Sequence, residues 1–183
     1  NSPGYIQAYP PGVRENGGQY SHGAVWALMA QALQGDHEAA WRSFEGLSPA
    51  HRAKHPVRGP VYELEPFVMA GDTYGAAPYV GRGGWSWYTG SAAWMHRAAI
   101  ETLLGLELRG SNLRMTPRVP AHWPGFEIAL RLDGRELKLQ YGETGAGSKT
   151  HDVEAGEWID WHALPAGAVL RVSARASQAL TPA

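Results

Sequence analysis

The stretch from Gly81 to Trp94 constrains this chain more than any other. It begins as a glycine-rich loop, continues through the aromatic run Trp85-Ser86-Trp87-Tyr88, and ends at Thr89-Gly90-Ser91, where a helical pattern starts. Glycine allows close backbone approach or a positive φ, aromatic rings offer flat apolar faces with polar edges, and a helix start offers unpaired N–H groups that favour an anion. The stretch therefore predicts a site for a sugar together with an anion. The alternative is an aromatic structural loop that leads into an ordinary helix cap.

The composition narrows the classes of function. The chain has 183 residues, a length that suits one domain or slightly more. Its formal net charge is −1, which argues against nucleic-acid binding, since proteins contact phosphate backbones with clustered Lys and Arg. There is no cysteine, which excludes disulfides, thiolate nucleophiles and cysteine-based zinc sites and is compatible with a reducing cytosol. No apolar run reaches the roughly 18 residues of a membrane span, and the first residues do not have the pattern of a signal peptide. The chain has 8 Trp and 8 Tyr but only 3 Phe. This excess of aromatic residues with a polar group is typical of sites where one part of the ring packs on an apolar surface and another contacts water, as in carbohydrate sites and protein interfaces.

The first half of the sequence begins with a long loop and two helices. Residues 1–21 lack periodicity and contain a dense polar set, Arg14-Glu15-Asn16. An apolar stripe predicts a helix that Ser21 caps and Gly35 ends. Asp36 is predicted to cap a second helix, and the short connection predicts an antiparallel pair.

Two more helices are predicted before the pattern changes. Residues 48–65 read as a proline-containing loop, and a short helix is predicted to begin at Pro66, a preferred first position. The last helix is predicted from Thr89 to Leu104, where Gly105 stops it. This alternation places the loops at one end of a helical array, which is where functional loops are expected.

From Leu106 the hydrophobic period becomes 2, which predicts a small antiparallel β unit. Residues 126–132 and 136–141 alternate on either side of Asp133-Gly134, a hairpin turn. Further strands are predicted within residues 112–116, 152–156, 158–161 and 168–172, with a glycine-rich connection at 142–147 and a tail from Ser173 that frays. Such short strands leave unpaired edges, so we expect the chain to be the end of something larger.

Two predicted helix starts carry the candidate anion site. His22 lies just inside the first helix, and Thr89 and Gly90 lie at the start of the last one, each after a glycine-rich loop. A histidine and two N–H-bearing helix ends are suited to hold one anion together. The alternatives are a packing or capping histidine and a plain Thr cap. Glu15 is suited to hydrogen-bond sugar hydroxyls or to act as an acid or base, or else is a solvated loop carboxylate.

Other site classes are less well supported. Glycoside cleavage uses paired carboxylates, and Glu63, Glu65 and Asp72 are candidates that nothing in their setting distinguishes. His51 and His55 have helical spacing, but no third ligand is near them, so no metal site is expected. The sequence contains no phosphate loop, dinucleotide fingerprint or nucleophile elbow.

Several longer motifs resemble the inverting β-glycoside phosphorylases, the group that includes the cellobiose and chitobiose phosphorylases. The resemblance covers about residues 5–132 and is closest to the phosphorylase-like region of cyclic β-1,2-glucan synthases. Its motifs are Tyr9-Pro10-Pro11-Gly12-Val13-Arg14-Glu15-Asn16-Gly17-Gly18-Gln19-Tyr20-Ser21-His22, Glu65-Pro66-Phe67-Val68, the stretch 81–94, Leu104-Gly105-Leu106, Pro117-Arg118-Val119-Pro120 and Trp123-Pro124-Gly125-Phe126.

The resemblance implies an α+β chain. Residues 1–105 would be the terminal helices of an (α/α)6 barrel, residues 106–175 a small antiparallel β-sandwich, and residues 176–183 a tail. It implies that His22, Thr89 and Gly90 bind phosphate as co-substrate and that Glu15 and Tyr20 contact the acceptor-side sugar. The implied partners are a β-glucan oligosaccharide, phosphate and the remainder of a parent chain, with no nucleic acid and no metal. We expect a cytoplasmic domain, and the resemblance admits a parent protein in the inner membrane.

One departure from the family pattern bears on activity. The general acid of the family is an aspartate in an Asp-Trp-Asn-Asp-type motif earlier in the barrel, and no such motif occurs here; Ile159-Asp160-Trp161 lies in the β part. We therefore expect the 183-residue chain by itself to be catalytically inactive. Two other functions stay open: a glycoside hydrolase on the same barrel, which needs a carboxylate base at the anion site, and a non-catalytic carbohydrate-binding or scaffold domain.

Overall fold

The computed structural model describes residues 2–87, 89–143 and 150–173. The chain divides into two compact units, Asn1–Leu103 and Leu104–Ala183. The first unit is mainly helical and the second consists of β-strands, so the expected mixture of α and β structure is confirmed.

The first unit is built on a helix pair, α1 (Ser21–Leu33) and α2 (His37–Leu47). Asp36 caps α2 as predicted, because its Oδ1 accepts a hydrogen bond of 2.9 Å from the Ala39 N–H. Apolar side chains at helical spacing on both helices meet the helical segment 91–103 in one core; its fully or almost fully buried members are Val25, Leu28, Ala32, Ala40, Leu47, Met69, Met95, Ala98 and Leu103.

The segments between these helices differ from the sequence prediction in three places. Residues 48–65 are not a continuous loop, because α3 (Pro49–Lys54) and α4 (Gly59–Tyr62) form there, each with a proline in the first turn, where the missing N–H is tolerated. The predicted helix at Pro66 is wrong. Residues 66–67 form only a turn, and the chain then runs through buried residues 68–71 into strand β2 (Asp72–Thr73). Ser21 is not the cap of α1; Tyr20 is, and the buried Ser21 donates its N–H to the Gly71 carbonyl at 3.0 Å.

The last helical segment begins two residues later than predicted. α5 (Ser91–Arg97) starts after Gly90 and continues directly into a π-helix, Ala98–Leu103. Gly105 follows with a φ of +75°, and a Cβ at this position would overlap the backbone of Thr116. The helix therefore ends where only glycine fits.

The second unit contains two sheets. β4 (Leu106–Arg109), β5 (Asn112–Met115) and β9 (Ile159–Asp160) form an antiparallel three-stranded sheet. The predicted hairpin is confirmed as β6 (Gly125–Leu132) and β7 (Arg135–Gly142), with Leu132 opposite Arg135. Both turn residues, Asp133 and Gly134, have positive φ, as the tightest hairpin turns require.

The second sheet corrects the prediction that all strands are antiparallel. Its order is β6-β7-β10-β8, and β10 (Ala168–Ser173) is parallel both to β7 and to β8 (Thr150–Glu154). The connection from β8 to β10, residues 155–167, carries β9 and a 3₁₀ turn at Trp161–Ala163, which makes it long enough for a parallel crossover. Most of the predicted glycine-rich connection at 142–147 and the predicted frayed tail lie outside the described residues.

Candidate functional site

Three loops of the first unit are joined into one structure at the starts of α1 and α5. Strands β1 (Gln19–Tyr20), β2 and β3 (Gly83–Gly84) pair in that order into a small antiparallel sheet. Backbone hydrogen bonds extend the pairing, among them Gly75 N–H to the Gly12 carbonyl and Tyr74 N–H to the Arg82 carbonyl, both 2.8 Å. We call residues 9–20 and 71–85 the loop platform.

Glycines allow these loops to approach each other more closely than side chains would permit. A Cβ on Gly12 would overlap the backbone of Ala76, one on Gly75 would overlap the Gly17 carbonyl, and one on Gly84 would overlap the Tyr74 ring. For the glycines of the stretch 81–94, the sequence predicted close approach to a ligand or a positive φ. Gly81 has a φ of +93°, and Gly84 allows close approach of loop to loop.

Asp72 is the buried anchor of the loop platform. Its side chain is 1% exposed, and its Oδ2 accepts a hydrogen bond of 2.7 Å from the backbone N–H of Arg14, 58 positions away. A Cβ on Gly18 would lie 2.9 Å from that oxygen, so glycine makes room for the carboxylate. Among the described residues, Oδ1 has no hydrogen-bond partner. The contact holds Arg14 in a left-handed conformation, with a φ of +50°.

The Arg14 side chain brings a positive charge into this structure. Its guanidinium lies 4.4 Å from the ring centre of Trp85 and 5.3 Å from that of Tyr9, in the range of cation–π attraction. Its Nε lies 3.7 Å from Glu15 Oε2. The two rings and the backbone contact to Asp72 fix where this cation lies.

A small cavity of about 100 Å³ opens between the loop platform and the start of α5. Its lining includes a cation, a carboxylate, two aromatic side chains and the helix start: Arg14, Tyr20, Gly71, Asp72, Trp85, Thr89 and Gly90. A space of this size admits one small group, and the backbone amides of a helix start favour an anionic one.

His22 lies beside Gly90. A Cβ built on Gly90 would be 3.9 Å from His22 Nδ1, so the two predicted helix starts do meet. The imidazole contacts Trp26 and Trp94, with ring centres 4.7 and 5.6 Å away. Its Nε2 is buried and has no hydrogen-bond partner within the described part of the chain. An unsatisfied buried polar atom costs about 1–3 kcal/mol, which a hydrogen-bonding ligand would recover.

The Thr89 hydroxyl belongs to a short chain of hydrogen bonds. Thr89 Oγ1 accepts from the Ser91 N–H at 3.0 Å and lies 2.6 Å from Ser91 Oγ, which donates to the Ala70 carbonyl at 3.1 Å. With the Ser91 proton committed to Ala70, the Thr89 proton points to Ser91. An anion in the cavity would compete for that proton.

The structure brings most of the predicted site residues together. Tyr20, Thr89 and Gly90 line the small cavity. His22 lies beside Gly90 but is not among the lining residues, and Glu15 is exposed beside Arg14 and does not line the cavity either. Sequence reasoning missed the position of Arg14, Asp72 and Trp85. In the sequence, Asp72 was one of three carboxylates that nothing in their setting distinguished. The feature that could have singled it out is its position directly after the run 68–71, which the structure buries.

Two negative findings apply to the described residues. Within the described ranges, no group of three or more His, Cys, Asp or Glu side chains is arranged to hold a metal ion. No helix of the described part has the length and apolar character needed to cross a membrane.

Comparison with known proteins identifies the family. Residues 1–105 match the family described as "Glycosyl hydrolase 94 superfamily, catalytic domain". This is more than half of the chain, and the chain belongs to that family.

Relatives carry the comparison further. The chain is 51% identical, over 155 residues, to the cyclic β-(1,2)-glucan synthase NdvB of Rhizobium meliloti, a match that covers 85% of this chain and 5% of the relative. It is 28% identical, over 176 residues, to an N,N'-diacetylchitobiose phosphorylase of Vibrio furnissii, covering 93% of this chain and 21% of the relative. It is also 28% identical, over 121 residues, to a solabiose phosphorylase of Paenibacillus borealis, a match that covers 66% of this chain and 15% of the relative. The chain thus spans a small part of the length of these relatives. The family resemblance of the sequence motifs is confirmed.

Proposed function

We propose that this chain forms part of a carbohydrate-active phosphorylase domain that cleaves β-linked glucans with phosphate. The observation that carries the proposal is the unpartnered, buried Nε2 of His22 in an imidazole beside Gly90, at the start of α5. Family membership and the names of the phosphorylase relatives support it.

In this proposal, His22, Thr89 and Gly90 hold the phosphate. The cavity beside them is too small for a sugar ring and includes the Arg14 cation in its lining. Preorganised donors of this kind stabilise charge without reorganisation, and each hydrogen bond to a charged group contributes about 1.5–3 kcal/mol. Glu15 and Tyr20 contact the acceptor-side sugar.

The reaction is a single inverting displacement. A phosphate oxygen forms a bond to the anomeric carbon, the bond from that carbon to the leaving-sugar oxygen breaks, and an aspartic acid outside this chain protonates that oxygen. Phosphate takes the place of the water in an inverting hydrolase, so this end of the site needs an anion cradle rather than a second carboxylate.

The architecture follows from the same proposal. Residues 1–105 are the terminal part of an (α/α)6 barrel, residues 106–175 are a β-sandwich domain, and the remainder of a parent chain supplies the general acid. The 183-residue polypeptide by itself is therefore inactive, and measurable phosphorolysis by it would contradict this part.

The test is phosphate binding by calorimetry, in the chain and in the protein that carries it. His22→Phe keeps a ring against Trp26 and Trp94 but removes both nitrogens, so it should weaken phosphate binding about 10- to 100-fold without loss of stability. Gly90→Ala places a methyl group toward His22 and should weaken binding similarly. His96→Ala, an exposed histidine on α5, is the matched control and should leave affinity unchanged. If His22→Phe binds phosphate as tightly as the wild type does, the assignment of His22 to the phosphate site is wrong.

Asp72 favours one second candidate, a hydrolase on the same scaffold. A carboxylate lines the cavity with an oxygen that has no partner among the described residues, as a general base for water would require. Two contacts argue for a structural role of Asp72 instead. Its Oδ2 already accepts a hydrogen bond from the Arg14 N–H, and a Cβ on Gly84 would lie 2.5 Å from its Oδ1. Asp72→Asn separates the two: a hydrolase would lose its activity, and a phosphorylase would keep phosphate-dependent turnover. Oligosaccharide binding with no dependence on phosphate would instead favour a binding module.

A further inference from the structure

Another cavity of the first unit, of about 390 Å³, lies at the end of α2, along α3 and at the turn that leads to α4. We call it the basic cavity. None of its lining residues lines the small cavity or belongs to the loop platform, so it is a separate place on the molecule. Its charged and imidazole-bearing lining residues are Arg42, Glu45, His51, Arg52, His55 and Arg58.

The basic cavity concentrates positive charge that no carboxylate neutralises. Its lining carries three guanidinium groups and one carboxylate, in a chain whose formal net charge is −1. Arginines elsewhere form ion pairs, such as Arg97 with Glu101 at 2.8 Å and Arg131 with Glu136 at 2.7 Å. Within the described part of the chain, none of the three guanidiniums of the basic cavity has such a pair. Unpaired guanidiniums around one concave space favour an anionic ligand.

Arg52 is half-buried and held in place, whereas Arg42 and Arg58 are exposed. The Arg52 Nε donates a hydrogen bond to the Gly46 carbonyl, and its guanidinium lies 5.4 Å from the ring centre of the buried Tyr62. These contacts fix the guanidinium and leave its two Nη groups to donate to a ligand. Burial is the largest cause of a lowered pKa of Arg52, and the positive charge of Arg58 adds to it. An anion between the two arginines would relieve this repulsion.

His55 adds a hydrogen-bond donor to the lining. Its Nδ1 accepts the backbone N–H groups of Val57 at 3.2 Å and of Arg58 at 3.1 Å, in the turn between α3 and α4. A ring nitrogen that accepts hydrogen bonds carries no proton, so the proton of the neutral ring is on Nε2. The turn therefore fixes both the ring of His55 and its donor nitrogen.

A phosphate group suits these donors better than a carboxylate does. Its oxygens accept hydrogen bonds from several directions, whereas the two oxygens of a carboxylate lie in one plane. The planar fork of arginine donates two parallel hydrogen bonds to phosphate. A volume of about 390 Å³ exceeds the need of one phosphate group and lies within the range of about 300–1,000 Å³ of small-ligand pockets, so a second phosphate or an organic part fits as well.

We propose that the basic cavity is a second site for a phosphate-bearing ligand, separate from the phosphate site of the proposed function and independent of it. Arg42, Arg52 and Arg58 bind phosphate oxygens, and His55 donates a further hydrogen bond. A soluble phosphate compound and the head group of an anionic phospholipid present this same chemistry.

Calorimetry with inorganic pyrophosphate tests the site in the intact protein that carries this chain. All variants are made in the His22→Phe background, so that the other proposed phosphate site contributes little. Arg42→Gln and Arg58→Gln each remove an exposed charge and should weaken binding about five- to tenfold. Glu45→Gln removes the one carboxylate of the lining and should strengthen binding about two- to fivefold. Arg131→Gln removes an exposed charge of the second unit, is the matched control, and should leave the affinity within about twofold.

Vesicles identify the source of the phosphate group. Cosedimentation with phosphatidylglycerol vesicles, against phosphatidylcholine vesicles as the blank, is measured for the same variants. Pyrophosphate binding without vesicle binding indicates a soluble ligand. Binding of both, with the same loss in Arg58→Gln, indicates a lipid head group, and either result supports the site.

Two results would overturn the proposal. If pyrophosphate does not bind in the His22→Phe background, the basic cavity holds no phosphate, and binding by the wild type would then leave the site of the proposed function standing. If Arg42→Gln and Arg58→Gln bind as tightly as the Arg131→Gln control, the bound phosphate lies elsewhere. Binding that survives His22→Phe and is weakened by both arginine variants supports the basic cavity, whether or not the protein catalyses phosphorolysis.

Discussion

The loop platform of the first unit and the four-stranded sheet of the second show two ways to fix a backbone. In the sheet, β6 and β7 pair over eight residues each, so many equivalent hydrogen bonds share the stabilisation. In the loop platform each strand has two residues, and the shape depends on glycine contacts and one buried carboxylate. Functional residues are often positioned by loops of this kind. We therefore expect single substitutions to destabilise the loop platform more than they destabilise the four-stranded sheet.

The sharpest test compares two glycines that both have positive φ. Gly12 has a φ of +84°, and a Cβ there would overlap Ala76, whereas Gly134 has a φ of +74° with nothing within 4 Å. Both Gly→Ala variants strain the backbone by about 1 kcal/mol, but Gly12→Ala adds an overlap with backbone, for a total loss of about 3 kcal/mol or more.

Differential scanning calorimetry measures this difference, because two units need not unfold in one transition. Gly12→Ala should lower the transition of the first unit by several degrees more than Gly134→Ala lowers that of the second. Equal shifts would mean that close loop packing contributes nothing beyond backbone strain.

The second test removes the anchor. Asp72→Ala leaves the Arg14 N–H without its acceptor, and we expect a loss of about 2–3 kcal/mol in the free energy of unfolding of the first unit. Asp36→Ala removes a carboxylate that accepts a backbone N–H at an exposed helix cap, at a loss of about 1 kcal/mol.

Asp72→Asn sharpens this test, since an amide oxygen can accept the same hydrogen bond. Denaturant unfolding, monitored by tryptophan fluorescence, should give Asp72→Asn a free energy of unfolding close to that of the wild type and Asp72→Ala a clearly lower one. Should the Asp72 and Asp36 alanine variants prove equally stable, Asp72 would not be the anchor of the platform.

The same difference explains what the sequence could predict. The helices α1 and α2 and the hairpin β6–β7 follow from local periodicity and from nearby turn residues, Asp36 and Asp133-Gly134. The shape of the platform depends on partners far apart in the chain, such as Asp72 with Arg14, which no local pattern reveals. The apolar run 67–70 suits a buried extended segment as well as a helix, and strand alternation does not distinguish parallel from antiparallel pairing.

The candidate site divides in the same way. That His22, Thr89 and Gly90 lie together could be predicted, because helix starts are visible in sequence. Their role in phosphate binding stays a prediction. The position of the Arg14 cation could not be predicted, since it is set by Asp72 and by stacking on Trp85.

The smallest expected effect concerns the sheet. Glu127 lies opposite Gln140 in the β6–β7 register, and its carboxylate accepts a hydrogen bond of 2.9 Å from the Gln140 amide and lies 3.1 Å from Lys138 Nζ. The Gln140 hydrogen bond first, and then Lys138, lower the pKa of Glu127 from its ordinary value. A lowered pKa in the folded state means that the contribution is present above the unfolded pKa and fades as the pH falls through the folded value.

Gln140→Leu should therefore raise the pKa of Glu127 toward its ordinary value, and Lys138→Met should raise it less. Carboxyl NMR titration checks both. Because Glu127 is partly exposed and its charge is screened, neither change should alter the unfolding midpoint at neutral pH as much as Asp72→Ala does. If Gln140→Leu destabilised the second unit as strongly as Asp72→Ala destabilises the first, the sheet too would depend on single polar contacts, and the contrast between the two regions would not hold.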